Sequence, residues 1–207
     1  MTTFNGTEDD DSLSGTSKND SIYGLDGNDS LYGDDGADML IGGTGNDYME
    51  GGLGGDTYFI GSTDGEDEIY NYDTDVSLAS IDVVKFDFAS GNISSIFQNG
   101  NSNSLVVQYG QGNELVVDQF FQDVNYRVNK FIFTDVTWTL ANIAQLHNGT
   151  SFSESLTAFD SMANSINALG GDDQLYGGSG ADSLNGGDGN DTIRGGGGTD
   201  TFSWRYR

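Results

Sequence analysis

Residues 42 to 59 read Gly42-Gly43-Thr44-Gly45-Asn46-Asp47-Tyr48-Met49-Glu50 and then Gly51-Gly52-Leu53-Gly54-Gly55-Asp56-Thr57-Tyr58-Phe59. Both halves follow one nine-residue pattern, Gly-Gly-x-Gly-x-Asp-x-apolar-x. Glycine permits positive φ and leaves backbone carbonyls unshielded, so a tight loop can turn its oxygens toward a cation. The aspartate adds a hard anionic oxygen, and Ca²⁺ takes roughly 6–8 oxygen ligands in a flexible shell. The apolar residue two positions later predicts a short strand that faces a core.

The nine-residue cycle forms two arrays separated by about half of the chain. In the first array, over residues 6–59, the aspartates and apolar residues are Asp11, Asp20, Asp29, Asp38, Asp47 and Asp56 with Leu13, Ile22, Leu31, Leu40, Met49 and Tyr58. In the second array they are Asp173, Asp182, Asp191 and Asp200 with Leu175, Leu184, Ile193 and Phe202. A weaker cycle before the second array has Asn164 and Ile166 in these two positions. Loops 6–11 and 15–20 lack most of the glycines, which is typical of the terminal repeats of a solenoid.

The composition is strongly acidic. The net charge of −26 comes from 33 acidic and 7 basic residues, and only six of the acids are Glu. A solvated acidic surface or a halophilic protein would explain the charge but not the placement of Asp at every ninth residue. Calcium binding explains both the negative charge and the regular placement of Asp, because divalent cations bound at these positions relieve the self-repulsion of a compact acidic chain. Without a basic patch to displace counterions, nucleic acid and anionic membrane are not expected as direct partners.

Other classes of site and of targeting segment are not indicated. The chain has no cysteine, which excludes disulfides and zinc sites built on thiolates. No apolar run approaches the roughly 20 residues of a membrane-spanning helix, so membrane insertion is not expected. Residues 1–5 lack the charged-then-apolar pattern of a secretory signal. Export would therefore use a route that is not encoded at this N-terminus.

Residues 6–59 and 168–203 resemble the RTX (haemolysin-type calcium-binding) repeats. The resemblance implies an all-β fold, a right-handed parallel β-roll in which two nonapeptides form one turn and several Ca²⁺ ions lie between loops two cycles apart. It implies carboxylate ligands from Asp11, Asp20, Asp29, Asp38, Asp47, Asp56, Asp173, Asp182, Asp191 and Asp200. It also implies ligands from the loops of Gly27, Gly36, Gly43, Gly45, Gly52, Gly54, Gly178, Gly180, Gly187 and Gly189. The implied loop pairs are Asp11 with Asp29, Asp20 with Asp38, Asp29 with Asp47, Asp38 with Asp56, Asp173 with Asp191, and Asp182 with Asp200.

The resemblance also implies a bacterial protein secreted by a type I system, with the export signal outside this fragment of a larger polypeptide. We expect a first roll over residues 1–60, a β-rich cap over 61–165 and a truncated second roll over 166–207. In the cap, strands are expected within 81–88, 104–109, 114–121 and 126–134, and a short helix within 138–146. This order resembles the haemolysin-type calcium-binding protein related region, which would cover the open end of the first roll. Residues 151–167 are predicted to form either a short helix or a connector.

A search for catalytic groups finds no constellation, so no enzyme activity is expected. His147 is the only histidine and is predicted to lie on the surface, where it cannot by itself form a zinc site. No serine lies in a Gly-x-Ser-x-Gly elbow, and no lysine follows a glycine-rich phosphate loop. The alternative to a calcium-dependent structural module is a module that binds polysaccharide or a cell surface. In that case the aromatic residues that would stack on sugars are Tyr23, Tyr32, Tyr176, Trp138 and Trp204.

Overall fold

The computed structural model describes residues 1–74, 80–99, 102–122, 124–159 and 162–203. These residues form short β-strands, a single four-residue helix and two 3₁₀ turns at Ser90–Asn92 and Val124–Tyr126. The first fourteen strands are β1 (Thr2–Asn5), β2 (Ser12–Ser14), β3 (Asp20–Asp26), β4 (Ser30–Tyr32), β5 (Met39–Thr44), β6 (Tyr48–Glu50), β7 (Thr57–Ile60), β8 (Glu66–Ile69), β9 (Val83–Phe86), β10 (Ile93–Asn99), β11 (Ser104–Tyr109), β12 (Asn113–Val117), β13 (Lys130–Ile132) and β14 (Thr137–Thr139).

Successive strands of the first array alternate between two parallel sheets. One sheet contains β1, β3, β5 and β7 in that order, and the other contains β2, β4, β6 and β8. From β1 to β7 the strands pair at a step of 18 residues, so that Ile22 lies beside Leu40 and Leu31 beside Met49; β8 pairs with β6 at a step of 20 residues. Two nonapeptides therefore form one turn, and the predicted parallel β-roll is confirmed.

The apolar position of each cycle points between the two sheets. Ile22, Leu31, Leu40, Met49 and Tyr58 are all 0% exposed. A coil this small buries its one apolar side chain only by stacking on neighbouring coils, so each repeat depends on the next for its stability. The ninth-position residues point outward and are half-buried; they are Tyr23, Tyr32, Ile41 and Phe59.

The two sheets continue beyond the repeats into the middle of the chain. Val84 of β9 lies beside Tyr58, and Phe131 of β13 lies beside Val84. On the other sheet β8 is followed by β12, β11 and β10, the last three joined antiparallel. The apolar side chains of this region join those of the first array in one cluster. The middle region thus covers the end of the roll, whereas the domain boundaries at residues 60 and 165 stay a prediction.

The helix α1 spans Leu140–Ile143 and lies inside the predicted range of 138–146. It is shorter than predicted because β14 ends at Thr139, whose backbone N–H donates to Asn142 Oδ1 at 2.8 Å. The described part of the chain contains no helix with the length and apolarity that a bilayer span requires.

The second array forms two further parallel sheets. Its strands are β15 (His147–Asn148), β16 (Ser155–Thr157), β17 (Ser165–Asn167), β18 (Gln174–Tyr176), β19 (Ser183–Asn185), β20 (Thr192–Arg194) and β21 (Thr201–Ser203). The prediction of a helix or connector over residues 151–167 was wrong. This segment contains β16 and β17, whose Leu156 and Ile166 lie beside Leu175 and Leu184 in the core. Their ten-residue separation, one more than the repeat, made the segment look irregular.

We expect the second array to be the less stable of the two. Among the residues that the structure describes, its core contains six buried residues with Ile193 packed against them, and Phe202 in its last described strand is 43% exposed. Residues 168–207 should therefore need more calcium to become ordered, and exchange amide hydrogens faster, than residues 24–59. Hydrogen exchange followed by mass spectrometry across a calcium titration measures this. Protection of both arrays at one calcium concentration would instead show a single cooperative unit.

Candidate calcium sites

The glycine-rich loops stack on one another at each edge of the roll through an aspartate ladder. In six pairs, one carboxylate oxygen of an aspartate accepts a hydrogen bond from the backbone N–H of the aspartate 18 residues earlier. The N–H donor, the acceptor residue and the N–Oδ1 distance are Asp11 to Asp29 2.8 Å, Asp20 to Asp38 2.7 Å, Asp29 to Asp47 2.8 Å, Asp38 to Asp56 2.9 Å, Asp173 to Asp191 3.1 Å and Asp182 to Asp200 3.0 Å. The structure therefore brings together all six loop pairs expected from the sequence.

The second carboxylate oxygen of the inner aspartates has no hydrogen-bond partner. These buried Oδ2 atoms belong to Asp29, Asp38, Asp47, Asp56, Asp173 and Asp182. Each of these residues is at most 2% exposed. A buried ionised carboxylate is costly unless it is paired or coordinates a metal. Burial is the main cause that raises the pKa of Asp38 and Asp47 to about 6 and that of Asp56 to about 8. Neighbouring carboxylates raise these pKa values further.

The first glycine of the cycle makes room for this oxygen in the loops of Asp29, Asp38, Asp47, Asp56 and Asp182, whereas Ala168 takes this position before Asp173. At Gly24, a Cβ atom would collide with Asp29 Oδ2 and also with the carbonyl oxygen of Gly42 in the next loop. These two oxygens, a carboxylate from one loop and a carbonyl from the loop above, thus approach the same point. Any side chain at position 24 would fill the space in which they meet.

The later glycines allow the loops to pack closely. Gly54 has a φ of +128°, and a Cβ there would collide with the carbonyl oxygen of Gly36 in the loop below. The same positive φ occurs at nine of the ten glycines predicted from the sequence: Gly27, Gly36, Gly43, Gly45, Gly52, Gly54, Gly178, Gly187 and Gly189. Gly180 lacks it, but a Cβ there would collide with the carbonyl oxygen of Met162.

Side chains alone do not form a metal centre here. Within the described residues, no group of three or more His, Cys, Asp and Glu side chains converges on a point. A cation between the loops would have to combine one or two carboxylates with backbone carbonyls. Calcium accepts such a mixed oxygen set, whereas zinc prefers nitrogen and sulfur ligands.

In the first loops of each array a threonine donates hydrogen bonds to the acidic side chain. The carboxylate of Asp20 accepts hydrogen bonds from the backbone N–H of Thr16 at 2.8 Å and from its hydroxyl at 2.6 Å. Asp11 is bound by Thr7 in the same way at 2.7 and 2.8 Å. The carboxylate of Glu154 accepts hydrogen bonds from the backbone N–H and the hydroxyl of Thr150, both at 2.7 Å. In these loops a threonine supplies the donors that the inner aspartates lack.

Three acidic residues of the ladder were missed by the sequence reasoning. Asp67 accepts from the N–H of Asp47 at 3.1 Å, and Asp82 accepts from the N–H of Asp56 at 2.9 Å. The N–H of Glu154 donates to Asp173 Oδ1 at 2.8 Å. These partners lie 20, 26 and 19 residues apart, so a search at a fixed step of nine excludes them. The available signal was an acidic residue two positions before Ile69 and Leu156.

The prediction that His147 lies on the surface was wrong. It is 2% exposed, its ring stacks on Phe121 with centroids 4.4 Å apart, and its Nε2 pairs with Gln98 Oε1. Burial lowers the pKa of His147 to about 3, so it is neutral at physiological pH. Of the aromatics predicted to stack on sugars, Trp138 packs against Phe133 at 4.7 Å, and Trp204 lies outside the described residues.

The family model described as RTX calcium-binding nonapeptide repeat (4 copies) matches residues 5–40, 26–58 and 163–202. The two arrays are RTX repeats. The RTX matches leave residues 59–162 uncovered, so the likeness of this region to the haemolysin-type related region stays a prediction. No curated protein matches the chain significantly.

Two solved structures show similarity to this chain. One is the AlgE6R3 subunit of the mannuronan C5-epimerase from Azotobacter vinelandii, with 25% identity over 54% of this chain and 71% of that chain and a TM-score of 0.40. The other is the extracellular lipase LipA from Serratia marcescens, with 18% identity over 95% of this chain and 28% of that chain and a TM-score of 0.24.

Proposed function

We propose that this chain is a structural RTX module whose β-roll folds when several Ca²⁺ ions bind between its stacked loops. The observation that carries the proposal is the set of six buried Oδ2 atoms without a partner. Each lies where the backbones of two glycine-containing loops pack closely, and a cation there would supply the missing positive charge. Because metal binding is absent in the unfolded chain, the binding free energy becomes folding free energy.

The residues that would hold the ions are the paired aspartates and the carbonyls of their loops. In the pair of Asp29 with Asp47, the ligands would include Asp29 Oδ2, the carboxylate of Asp47 and the carbonyl of Gly42. The other ligand residues are those predicted from the sequence, with the Thr-bound Asp11 and Asp20 contributing least. Asp67, buried and in register above Asp47, would extend the series by one loop pair. Bound calcium would neutralise the carboxylates and link loops 18 or more residues apart.

An ion-dependent roll suits a protein that is exported unfolded and folds outside the cell. RTX repeats are typical of exported proteins, and we propose secretion by a type I system for this chain. Extracellular calcium modules bind with dissociation constants of roughly 10⁻⁴–10⁻³ M. The net charge of −26 would keep the chain expanded until it meets calcium at such concentrations. In this role the module contributes structure to a larger polypeptide and no catalytic group.

The direct test is to count the bound ions. Native mass spectrometry of the chain in millimolar calcium should show several Ca²⁺ ions per molecule. The same experiment with magnesium should show far fewer, because Mg²⁺ requires a smaller octahedral shell and retains its waters. A chain that binds no calcium at millimolar concentration would refute the proposal.

A further inference from the structure

Asn164 occupies the position of the aspartate in the first loop below Asp182. Its side chain is 2% exposed. Its amide nitrogen lies 2.9 Å from the carbonyl oxygen of Phe159 and 2.9 Å from that of Met162, both in its own loop. In the next loop the same nitrogen lies 2.9 Å from Asp182 Oδ1 and 3.5 Å from the carbonyl oxygen of Gly177. Four oxygens from two loops therefore converge on one nitrogen.

The orientation of this amide is fixed by its surroundings. Asn164 Oδ1 accepts the backbone N–H of Phe159 at 3.2 Å, and all four atoms around Nδ2 are acceptors. A flipped amide would place its oxygen against four oxygens, so the network assigns the nitrogen. The two N–H groups of the amide are thus shared among three carbonyls and one carboxylate.

The Asn164 layer has the same arrangement as the layers with Asp: Asn164 stands where Asp29 stands, and Gly177 and Asp182 stand where Gly42 and Asp47 stand. At Gly24, the first-position carbonyl of Gly42 and the carboxylate of Asp29 meet. At the Asn164 layer, the first-position carbonyl of Gly177 and the carboxylate of Asp182 meet at Nδ2. Nδ2 thus takes the place of a carboxylate oxygen such as Asp29 Oδ2, and its N–H groups donate directly to oxygens that a cation would have to join in the other layers.

We propose that Asn164 is a built-in replacement for calcium: its amide joins Phe159 and Met162 to the loop of residues 177–182 without a metal ion. This inference rests on the proposed calcium sites of the other layers. It follows that this layer binds no Ca²⁺ and that its assembly does not require it. Because Phe159 and Met162 also pack on the core of the first roll and its cap, the amide joins that core to the second array.

The test converts the amide into a carboxylate. Asn164→Asp keeps the shape of the side chain but replaces the N–H donors with an anionic oxygen facing four oxygens, which then requires a cation. Native mass spectrometry should show one additional Ca²⁺ ion per chain. The calcium midpoint for hydrogen-exchange protection of β17 and β19 should rise. Asn164→Ala should bind no extra ion. Its strands β17 and β19 should be less protected from hydrogen exchange than those of the wild type at every calcium concentration.

Asn190→Asp is the matched control. It changes the charge equally in the same array, but Asn190 is exposed and its side-chain amide donates only a long bond of 3.3 Å to Asp172. This variant should bind as many ions as the wild type. An unchanged ion count in Asn164→Asp, or the same gain in Asn190→Asp, would overturn the inference. A wild type that binds no calcium would instead refute the proposed function. The loss of hydrogen-exchange protection of β17 and β19 in Asn164→Ala does not depend on ion binding, so it would still test whether the amide joins the two loops.

Discussion

Removal of calcium is expected to abolish most of the β-structure of the two arrays. In the folded roll six buried carboxylate oxygens have no partner, and the chain carries a net charge of −26. Without the ion, these charges must be protonated or exposed to water, and exposure separates the stacked loops. Circular dichroism should show mainly disordered chain in EGTA and a recovered β-spectrum in millimolar calcium.

The loss should be confined largely to the repeats. The hairpins of β10, β11 and β12 are joined by antiparallel backbone bonds and pack on an aromatic cluster that includes Phe120, Phe121 and Phe131. Hydrogen exchange in EGTA should show more residual protection there than in residues 24–59. Magnesium at equal concentration should restore little β-structure. The same folded spectrum in EGTA and in calcium would contradict the coupling of folding to the ion.

The substitution Asp38→Ala is expected to raise the calcium midpoint of folding far more than Asp11→Ala. Asp38 lies between two loops: its Oδ1 accepts the N–H of Asp20, and its own N–H donates to Asp56. Its Oδ2 is buried and without a partner, so its loss would affect two adjacent ion sites. We expect at least about a tenfold increase in the midpoint, since even indirect support of a metal typically contributes that much.

Asp11→Ala is the control within the same array. Asp11 is half-buried, begins the ladder and already accepts two hydrogen bonds from Thr7. The measured quantity should be the calcium midpoint from circular dichroism, because Asp38→Ala also removes an unpaired buried charge from the ion-free protein. Equal midpoints for both variants would argue against a ladder in which inner aspartates are shared between ions.

The sequence alone determined the roll itself. In each complete cycle the glycines stand where a Cβ would meet the loop below, as at Gly54, and the aspartate stands where its N–H and carboxylate join neighbouring loops. These requirements are local and identical in every cycle, so they appear as a fixed spacing. The apolar position, as at Leu40, follows because only one side chain per short strand faces the core.

Only the tertiary structure decided where the ladder continues and where it changes. Asp67 and Asp82 join it across insertions, because stacking on the previous coil sets the register whatever the length of the loop. His147 is buried because Gln98, nearly fifty residues away in sequence, supplies its hydrogen-bond partner. Asn164 looks like a weak repeat in the sequence, yet its amide nitrogen lies among four oxygens of two loops. Whether a polar residue at this position would hold a cation or replace it depends on which atoms converge on it, and spacing along the chain does not record that.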